Sequence, residues 1–252
     1  MKLKPRPKLH ENLLLSGLPR EERERLDPFL HYVHLEAGQP ITEPGQPIPH
    51  LYFPFDAVTS TVQEMSDGST VETGLMGIEG LAGVQVWLGQ DRTTATTFVQ
   101  VPGEAHRMST DDFIREVREK PSSPLNRLVG AYVHAFLMMT SFTAACNRLH
   151  TIDQRMCRWL RMTYNRANRT EFPLRQEFLA QMLGVHRPTL STAASMLQKA
   201  GLITYRYGVL KITDPEGLVD GACECYELME DEFERLFDQN WLDIADIRES
   251  VP

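Results

Sequence analysis

The 252-residue sequence is poor in cysteine and has no long apolar run. Its cysteines, Cys146, Cys157, Cys223 and Cys225, are too few for a disulfide framework and are typical of reduced thiols. No apolar run approaches the roughly 20 residues that a membrane span needs. The basic start MKLKPRPKLH is followed by NLLLSGL, which is too short for the core of a signal peptide. We therefore expect a cytoplasmic protein with no membrane partner.

Motifs of catalysis and of metal binding are also missing. The sequence has no phosphate-binding loop, no Gly-x-Ser-x-Gly elbow and no zinc-hydrolase histidine pair, so we do not expect an enzyme. Cys223 and Cys225 are predicted to lie on one helix, where residues i and i+2 point apart. They are therefore interpreted as structural thiols, and no metal site is expected.

The net charge of −8 conceals a basic segment. Residues 151–212 hold ten Lys and Arg against three Asp and Glu, a net +7, whereas residues 213–252 hold two against thirteen, a net −11. A basic block inside an acidic protein is the electrostatic pattern of a local nucleic-acid site. A solvated basic face without any partner is the alternative.

The first half of the chain has the pattern of a β domain. Short runs rich in β-branched and aromatic residues extend from residue 20 to about 108, separated by glycines and prolines. Asp67-Gly68 predicts a hairpin between two alternating strands. Many short strands at this spacing predict a small barrel or roll. Ser109 or Thr110 is then the expected cap of a helix.

A long helix is predicted after the β domain. Between residues 125 and 149, apolar side chains recur at helical spacing: Leu125, Leu128, Val129, Tyr132, Phe136, Met139, Phe142 and Cys146. A helix of about 25 residues spans roughly 37 Å, which suggests a dimer seam; burial against the β domain alone is the alternative. Thr151 and Gln154 form a capping box, so a new helix should start at 152, with a hinge at Thr151.

The segment 173–212 predicts a helix-turn-helix with a wing. Pro173 precedes a short helix at about residues 176–183, and Gly184 ends it. A second helix starts around Arg187, where Pro188 is tolerated in the first turn, and should bury Leu190, Ala194, Leu197 and Met196. Beyond Gly201, two strands around Tyr207-Gly208 predict a hairpin wing. A helix, a turn that contains glycine and a second helix form the arrangement that places the second helix in a DNA major groove.

These residues resemble the winged helix-turn-helix of the Crp/Fnr transcription regulators. The resemblance lies in Leu179-Ala180, Leu183-Gly184, Arg187, Thr189, Leu197, Gly201-Leu202-Ile203 and the Gly208 wing, and it extends over roughly residues 10–226. It implies a homodimer that binds double-stranded DNA, with RNA polymerase as a further partner. In its oxygen-sensing members, N-terminal cysteines hold an iron–sulfur cluster; this chain has none before Cys146, so that cofactor is not expected.

The resemblance also implies the residues that contact DNA. Arg187 matches the arginine that bonds O6 and N7 of a guanine. His186 and Thr189 match phosphate contacts at the helix start, as Arg175 and Gln176 do on the first helix, and Ser191 and Thr192 lie near base edges. Pro188 and Thr192 replace a base-reading glutamate and a second arginine of many members, and Arg175 replaces a capping threonine. Direct readout should therefore rest mainly on Arg187.

An effector site is less clear in the sequence. Members that bind cyclic nucleotides carry Gly-Glu and, about ten residues later, Arg-Ser/Thr-Ala. Here Glu79 precedes Gly80, the gap to Arg92 is longer, and an extra residue after Thr93 separates Arg92 from Ala95. We interpret the cassette as degenerate; a working one is the alternative. Thr140-Ser141 on the long helix matches a pair that touches the base in members binding cyclic AMP.

The expected fold class is α+β, with three parts. Residues 1–120 form a β-roll resembling cyclic-nucleotide-binding domains, residues 121–150 the long dimerisation helix, and residues 151–252 the winged helix-turn-helix with an acidic helical tail. Phe233, Leu236, Phe237 and Trp241 should pack that tail on the body. The expected function is a homodimeric transcription regulator on a palindromic operator. A cyclic-nucleotide-binding signalling protein whose C-terminal domain contacts proteins is the alternative.

Overall fold

A computed structural model describes residues 11–237. The helices are α1 (Leu13–Ser16), α2 (Arg20–Leu26), α3 (Thr110–Phe113), α4 (Pro124–Leu149), α5 (Ile152–Ala167), α6 (Gln176–Met182), α7 (Arg187–Lys199), α8 (Pro215–Gly221) and α9 (Cys225–Leu236). The strands are β1 (His31–Leu35), β2 (Pro40–Thr42), β3 (His50–Pro54), β4 (Val58–Glu64), β5 (Thr70–Met76), β6 (Thr96–Val101), β7 (Gly103–Ser109), β8 (Glu171–Pro173), β9 (Ile203–Arg206) and β10 (Val209–Ile212). The fold is thus α+β, as expected.

Two antiparallel sheets build the N-terminal roll. Their strand orders are β1-β7-β3 and β2-β6-β4-β5, and their inward side chains share one apolar core. The predicted hairpin joins β4 and β5, and Gly68 has the positive φ of 80° that its turn requires. Residues 20–30 were expected to begin the β structure, but that expectation was wrong. They form α2 and a 3₁₀ turn (Asp27–Phe29), because REERERL has helical spacing with acids in its first turn.

Helix α4 packs one face on the roll and leaves the other exposed. Ser123 caps it, and Leu125, Tyr132 and Met139 are buried, whereas Leu137 is 55% exposed. An 18-residue window of α4 has a mean hydropathy of 1.4, enough for a membrane span by length and composition, although the sequence analysis found no such run. The apolar core helix of a globular protein passes the same test, and 33% of this window of α4 is buried.

A corner at Thr151 separates α4 from α5. The capping box is present as predicted: Thr151 accepts from the backbone of Gln154, whose side chain returns to the Thr151 N–H at 3.1 Å. Helix α9 then runs back along α4 and buries Phe233 and Leu236, so the tail packs on the body up to that residue. Trp241 and the rest of the acidic tail lie outside the described residues.

Candidate nucleic-acid interface

Helices α6 and α7 form the predicted helix-turn-helix. Gly184 has φ +60°, which the turn needs, and the Val185 N–H returns to the Ala180 carbonyl at 2.9 Å. Helix α7 buries Leu190, Ala193, Ala194 and Leu197, and it packs on α5. Met196 was expected to be buried as well, but it is 45% exposed because it lies on the outer face of α7.

The wing lies beside this pair of helices. Strands β9 and β10 meet at Tyr207 and Gly208, whose φ values of 52° and 77° fit a tight hairpin turn. Tyr207 is fully exposed at the tip. Strand β8, which the sequence analysis missed, pairs with β10, and the Leu174 N–H donates to the Gly208 carbonyl at 2.8 Å. The wing is therefore a three-stranded sheet fixed to the segment that leads into α6.

The predicted DNA-contacting residues lie together on one exposed side. Gln176 and Ser191 are half-buried, and the others are exposed: Arg175, His186, Arg187, Thr189 and Thr192. Arg175 and His186 occupy the N-cap positions of α6 and α7 without a side-chain capping bond. No acidic side chain lies in α7, and the exposed side chains of its first two turns include one guanidinium and the hydroxyl groups of Thr189 and Thr192.

Four of these side chains already have partners within the chain. The Arg187 guanidinium pairs with Glu177 at 3.0 Å, and both side chains are more than half exposed. The Ser191 hydroxyl donates to the Gln176 amide oxygen at 2.8 Å and so links the two helices. Thr192 donates to the Pro188 carbonyl at 3.1 Å. Of the contacts in the described part of the chain, the pair with Glu177 is the one that would have to break for Arg187 to reach a base.

The basic segment divides into two populations. Four of its arginines lie on α5 and are 8% exposed or less: Arg155, Arg158, Arg161 and Arg166. The cations exposed on the wing, α6 and α7 are Arg175, Arg187, Lys199, Arg206 and Lys211. The charge count of the sequence analysis therefore overstated the basic surface, because four of its ten charges serve the interior.

The buried arginines tie this domain to the roll. Arg166 pairs with Glu79 at 2.7 Å and with Glu230 at 3.5 Å, and all three side chains are almost fully buried. The Trp159 indole donates to the Glu72 carboxylate at 2.9 Å. These contacts could not be predicted from the sequence, since the charges lie in different domains; a run of arginines on an otherwise amphipathic helix was the available signal.

Burial alters the acid–base behaviour of Glu72. Desolvation raises the pKa of this carboxyl to about 7, against the opposing effect of hydrogen bonds from Ser60 and Trp159. A protonatable group therefore lies at the contact between β5 and α5. Nearby, Phe178 of α6 packs edge-on against Phe98 of β6, with ring centroids 5.5 Å apart.

The structure does not bring the candidate effector residues together. Glu79 is buried against Arg166, and the Tyr132 ring lies so close to Gly80 that a Cβ there would approach it to 2.2 Å. Arg92 is exposed, donates to the Gly45 carbonyl at 2.7 Å and lies with Thr93 in an open surface depression. On α4, Thr140 donates to the Phe136 carbonyl at 3.0 Å, and Ser141 is exposed.

One expectation about the cysteines was wrong. Cys223 lies in the link after α8, and only Cys225 belongs to α9, so the two are not on one helix. Their side chains meet Cys146 and His150 at the end of α4. The reason for excluding a metal, that i and i+2 point apart on a helix, therefore does not apply.

Fold and interface together define a winged helix-turn-helix DNA-binding domain behind a β-roll and a long helix. Residues 154–220 match the family described as the Crp-like helix-turn-helix domain. The resemblance to Crp/Fnr regulators is thereby confirmed for this domain, which is of the kind found in DNA-binding transcription regulators. No curated protein matches the chain significantly.

Solved structures extend the likeness to the whole fold. A protein assigned to the Crp/Fnr regulators from Eubacterium rectale is 14% identical with a TM-score of 0.61, over 82% of this chain and 96% of the other. FixK2 from Bradyrhizobium japonicum is 13% identical with a TM-score of 0.63, over 77% and 98%. The c-di-GMP-responsive regulator CLP from Xanthomonas campestris is 16% identical with a TM-score of 0.60, over 77% and 99%. The chain therefore has the Crp/Fnr fold.

Proposed function

We propose that the protein is a homodimeric, sequence-specific transcription regulator that binds a two-fold symmetric DNA site. The observation that carries the proposal is the exposed start of α7, where Arg187, Thr189 and Thr192 face outward beside the wing. The start of such a helix enters the major groove in this class of domain. Its free N–H groups and positive dipole end favour nearby phosphates.

Specificity in this proposal depends chiefly on Arg187. A guanidinium can bond O6 and N7 of one guanine, whereas Pro188 can donate or accept nothing through its side chain. The Thr192 hydroxyl is already bonded to the Pro188 carbonyl, so its methyl group is the more available contact. Sequence-dependent DNA shape then supplies the rest of the discrimination.

The exposed face of α4 supports the dimer. His134, Leu137, Ser141, Ala145 and Arg148 recur at spacings of three and four, so they form one exposed stripe of mostly small or apolar side chains. Leu149 at its end is 73% exposed. A second copy of α4 on this stripe would remove both leucines from water and bring two copies of α7 onto one face.

We propose that the roll does not bind a cyclic nucleotide through Glu79 and Arg92. The Glu79 carboxylate is engaged in the interior by Arg166, and Arg92 is exposed on a loop beside Gly45. These two residues could therefore not bind the ribose and the phosphate of one nucleotide at the same time. Calorimetric titration with cyclic AMP and cyclic GMP tests this, and micromolar binding would contradict it.

Selection of bound sequences from random DNA tests the DNA-binding proposal. The purified protein should recover a two-fold repeat whose half-sites lie about one helical turn apart, roughly 34 Å. Arg187→Ala should weaken binding to that site by about 1–3 kcal/mol and relax the preference at one base pair of each half-site. Arg20→Ala, which removes an exposed arginine of α2, is the matched control and should change nothing.

Equal losses on the selected site and on random DNA would show that Arg187 contacts only phosphates. Failure to recover any repeat, with DNA binding absent at low salt, would reject the proposal. It would favour the signalling protein whose C-terminal domain contacts other proteins.

The dimer has its own test. Leu137→Asp should raise the dissociation constant of the dimer by roughly 100-fold or more, because two leucines of about 1.5–3 kcal/mol each leave the seam. Leu228→Asp on α9 replaces another exposed leucine and should leave association unchanged. Analytical ultracentrifugation measures both, and a monomeric wild type would contradict the seam.

A further inference from the structure

Four potential metal ligands converge at the corner between α4 and α5. Cys146 lies in the last turn of α4 and His150 ends it, whereas Cys223 and Cys225 approach from the link between α8 and α9. One ligand atom from each lies within 4.8 Å of every other. The three thiols are buried and form no disulfide. This cluster is called the corner cluster below.

The spacing of the corner cluster fits one tetrahedral ion. The Cys146 and Cys223 sulfurs are 3.4 Å apart, and the Cys225 sulfur is 3.6 Å from His150 Nδ1. Ligands of a tetrahedral zinc ion, at about 2.0–2.3 Å from the metal, lie roughly 3.5–3.8 Å from one another. A cluster of several iron and sulfide atoms would hold its ligands farther apart. Three cysteines and one histidine are also an established structural zinc set.

The orientation of His150 agrees with a metal at the centre. Its Nε2 lies 3.2 Å from the Glu224 carboxylate, which can only accept when ionised, so this nitrogen carries the proton. The lone pair of Nδ1 is then directed towards the sulfurs. A carboxylate that fixes the tautomer of a ligating histidine is the usual outer partner in zinc sites.

Buried positive charge next to the corner cluster gives an independent argument. Three thiolates, a neutral imidazole and Zn²⁺ carry a net −1. The guanidinium of Arg158 is 4% exposed and interacts electrostatically with Cys146. Within residues 11–237, its Nη1 donates only to the sulfurs of Met162 and Met229, at 3.4 and 3.6 Å, which are weak acceptors.

Arg155 lies on the same side of α5 and also interacts electrostatically with Cys146 and Cys223. Among the described residues, the Nε atoms of Arg155 and Arg158 are buried without a hydrogen-bond partner. Glu72 faces Arg158 too, but its oxygens already accept from Ser60 and Trp159. A negatively charged centre at the corner cluster would balance these cations, and buried charges require such compensation.

We propose that Cys146, His150, Cys223 and Cys225 bind one structural Zn²⁺ ion. All four positions come from the protein, so no position is open for a substrate, as in structural rather than catalytic zinc sites. The ion would join the end of α4 to the start of α9, across the corner from which the DNA-binding domain continues. It would thereby fix the angle between the long helix and that domain.

Metal titration of the full-length chain tests the site without reference to DNA. Protein purified under reducing conditions and stripped with a chelator should bind one Zn²⁺ per chain, measured by elemental analysis after gel filtration. Co²⁺ should give the intense visible bands of a tetrahedral ion and thiolate-to-cobalt charge transfer, and Zn²⁺ should displace it. Zn²⁺ should also raise the melting temperature of the stripped protein.

Single substitutions sharpen the assignment. Cys225→Ser and His150→Ala each remove a ligand and should abolish the tetrahedral cobalt spectrum. Glu224→Ala should keep one equivalent of zinc and weaken its binding by about tenfold, at the low end for an outer partner because Glu224 is exposed. Cys157→Ala and His31→Ala are the matched controls, a buried cysteine and an exposed histidine outside the cluster, and should bind metal like the wild type.

Two results would overturn the proposal, and both are measured on the wild-type chain. The first is an octahedral cobalt spectrum with substoichiometric zinc in the wild type. The second is rapid oxidation of Cys146 and Cys223 to a disulfide that excess Zn²⁺ does not slow. Because neither readout involves DNA, the zinc site and the DNA-binding function can fail separately.

Discussion

Helices α5 and α7 belong to the same basic segment but use arginine in opposite ways. Helix α5 carries four arginines, each 8% exposed or less, which bond to carboxylates, carbonyls and thioethers of the interior. Helix α7 carries one arginine, 65% exposed and held by a single surface ion pair. The helix richer in arginine is thus the structural one, and the poorer one faces outward. Burial, not charge count, separates a framework cation from a cation that is available to a partner.

The largest expected effect on stability comes from removing a buried arginine of α5. Arg166→Met leaves Glu79 buried without its partner, so it should lower the free energy of unfolding by about 3–5 kcal/mol. Arg187→Met on the exposed side is the matched control and should change it by less than about 0.5 kcal/mol. Urea denaturation followed by circular dichroism measures both. Similar effects of the two substitutions would remove the distinction between the helices.

A smaller effect concerns the contact that α5 makes through Trp159. The pKa of Glu72 is about 7 in the folded protein and 4.5 ordinarily. Between these values the unfolded chain releases the proton while the folded chain keeps it, so stability falls as pH rises. The loss should total about 3 kcal/mol by pH 8.

Glu72→Gln should abolish this slope and be the more stable protein at pH 8, because the amide carries no charge to bury. Below about pH 4.5 the two proteins should differ little. Unfolding measured in urea across this range gives the comparison. Parallel pH profiles for wild type and variant would mean that Glu72 ionises normally in the fold.

The smallest effect concerns the exposed ion pair. Glu177→Ala should release Arg187 and raise DNA affinity by up to about fivefold at low salt, since such pairs are worth about 0.2–1 kcal/mol. The gain should shrink as salt screens the pair. Glu24→Ala, which removes the partner of Arg20, should have no effect on fluorescence-anisotropy titrations. A loss of affinity in Glu177→Ala would indicate that Glu177 positions Arg187 for binding.

The part of the fold that could be predicted depends on local signals. Three predicted features depend on only a few neighbouring residues each: the turn at Gly184, the capping box at Thr151 and the turn at Tyr207-Gly208. The structure has all three. Strand β8 could not be recognised, because three residues ending in proline are stabilised by pairing with a strand about forty positions away. The helix at residues 20–26 was not predicted, although Glu21 and Glu22 in its first turn were a local signal for it.

The two candidate sites also differ in how far local sequence signals could predict them. The seven predicted DNA-contacting residues are gathered by one motif, so the sequence alone could place them on a common face. The corner cluster unites residues separated by 77 positions, and only the return of α9 along α4 brings them together. A hint was present in Cys146 and His150, which are four residues apart and therefore lie on one side of a helix.

By itself, the sequence determined the elements whose signals are local: caps, turns and hydrophobic periodicity. Tertiary structure alone decided which charges are available to a partner. Arg158 and Arg187 are the same residue type in the same basic segment, and a count of charges does not distinguish them. Packing of α5 against the roll and α9 buries Arg158, and a buried guanidinium needs nearby negative charge or hydrogen-bond acceptors. Helix α7 buries its opposite face and leaves Arg187 in solvent.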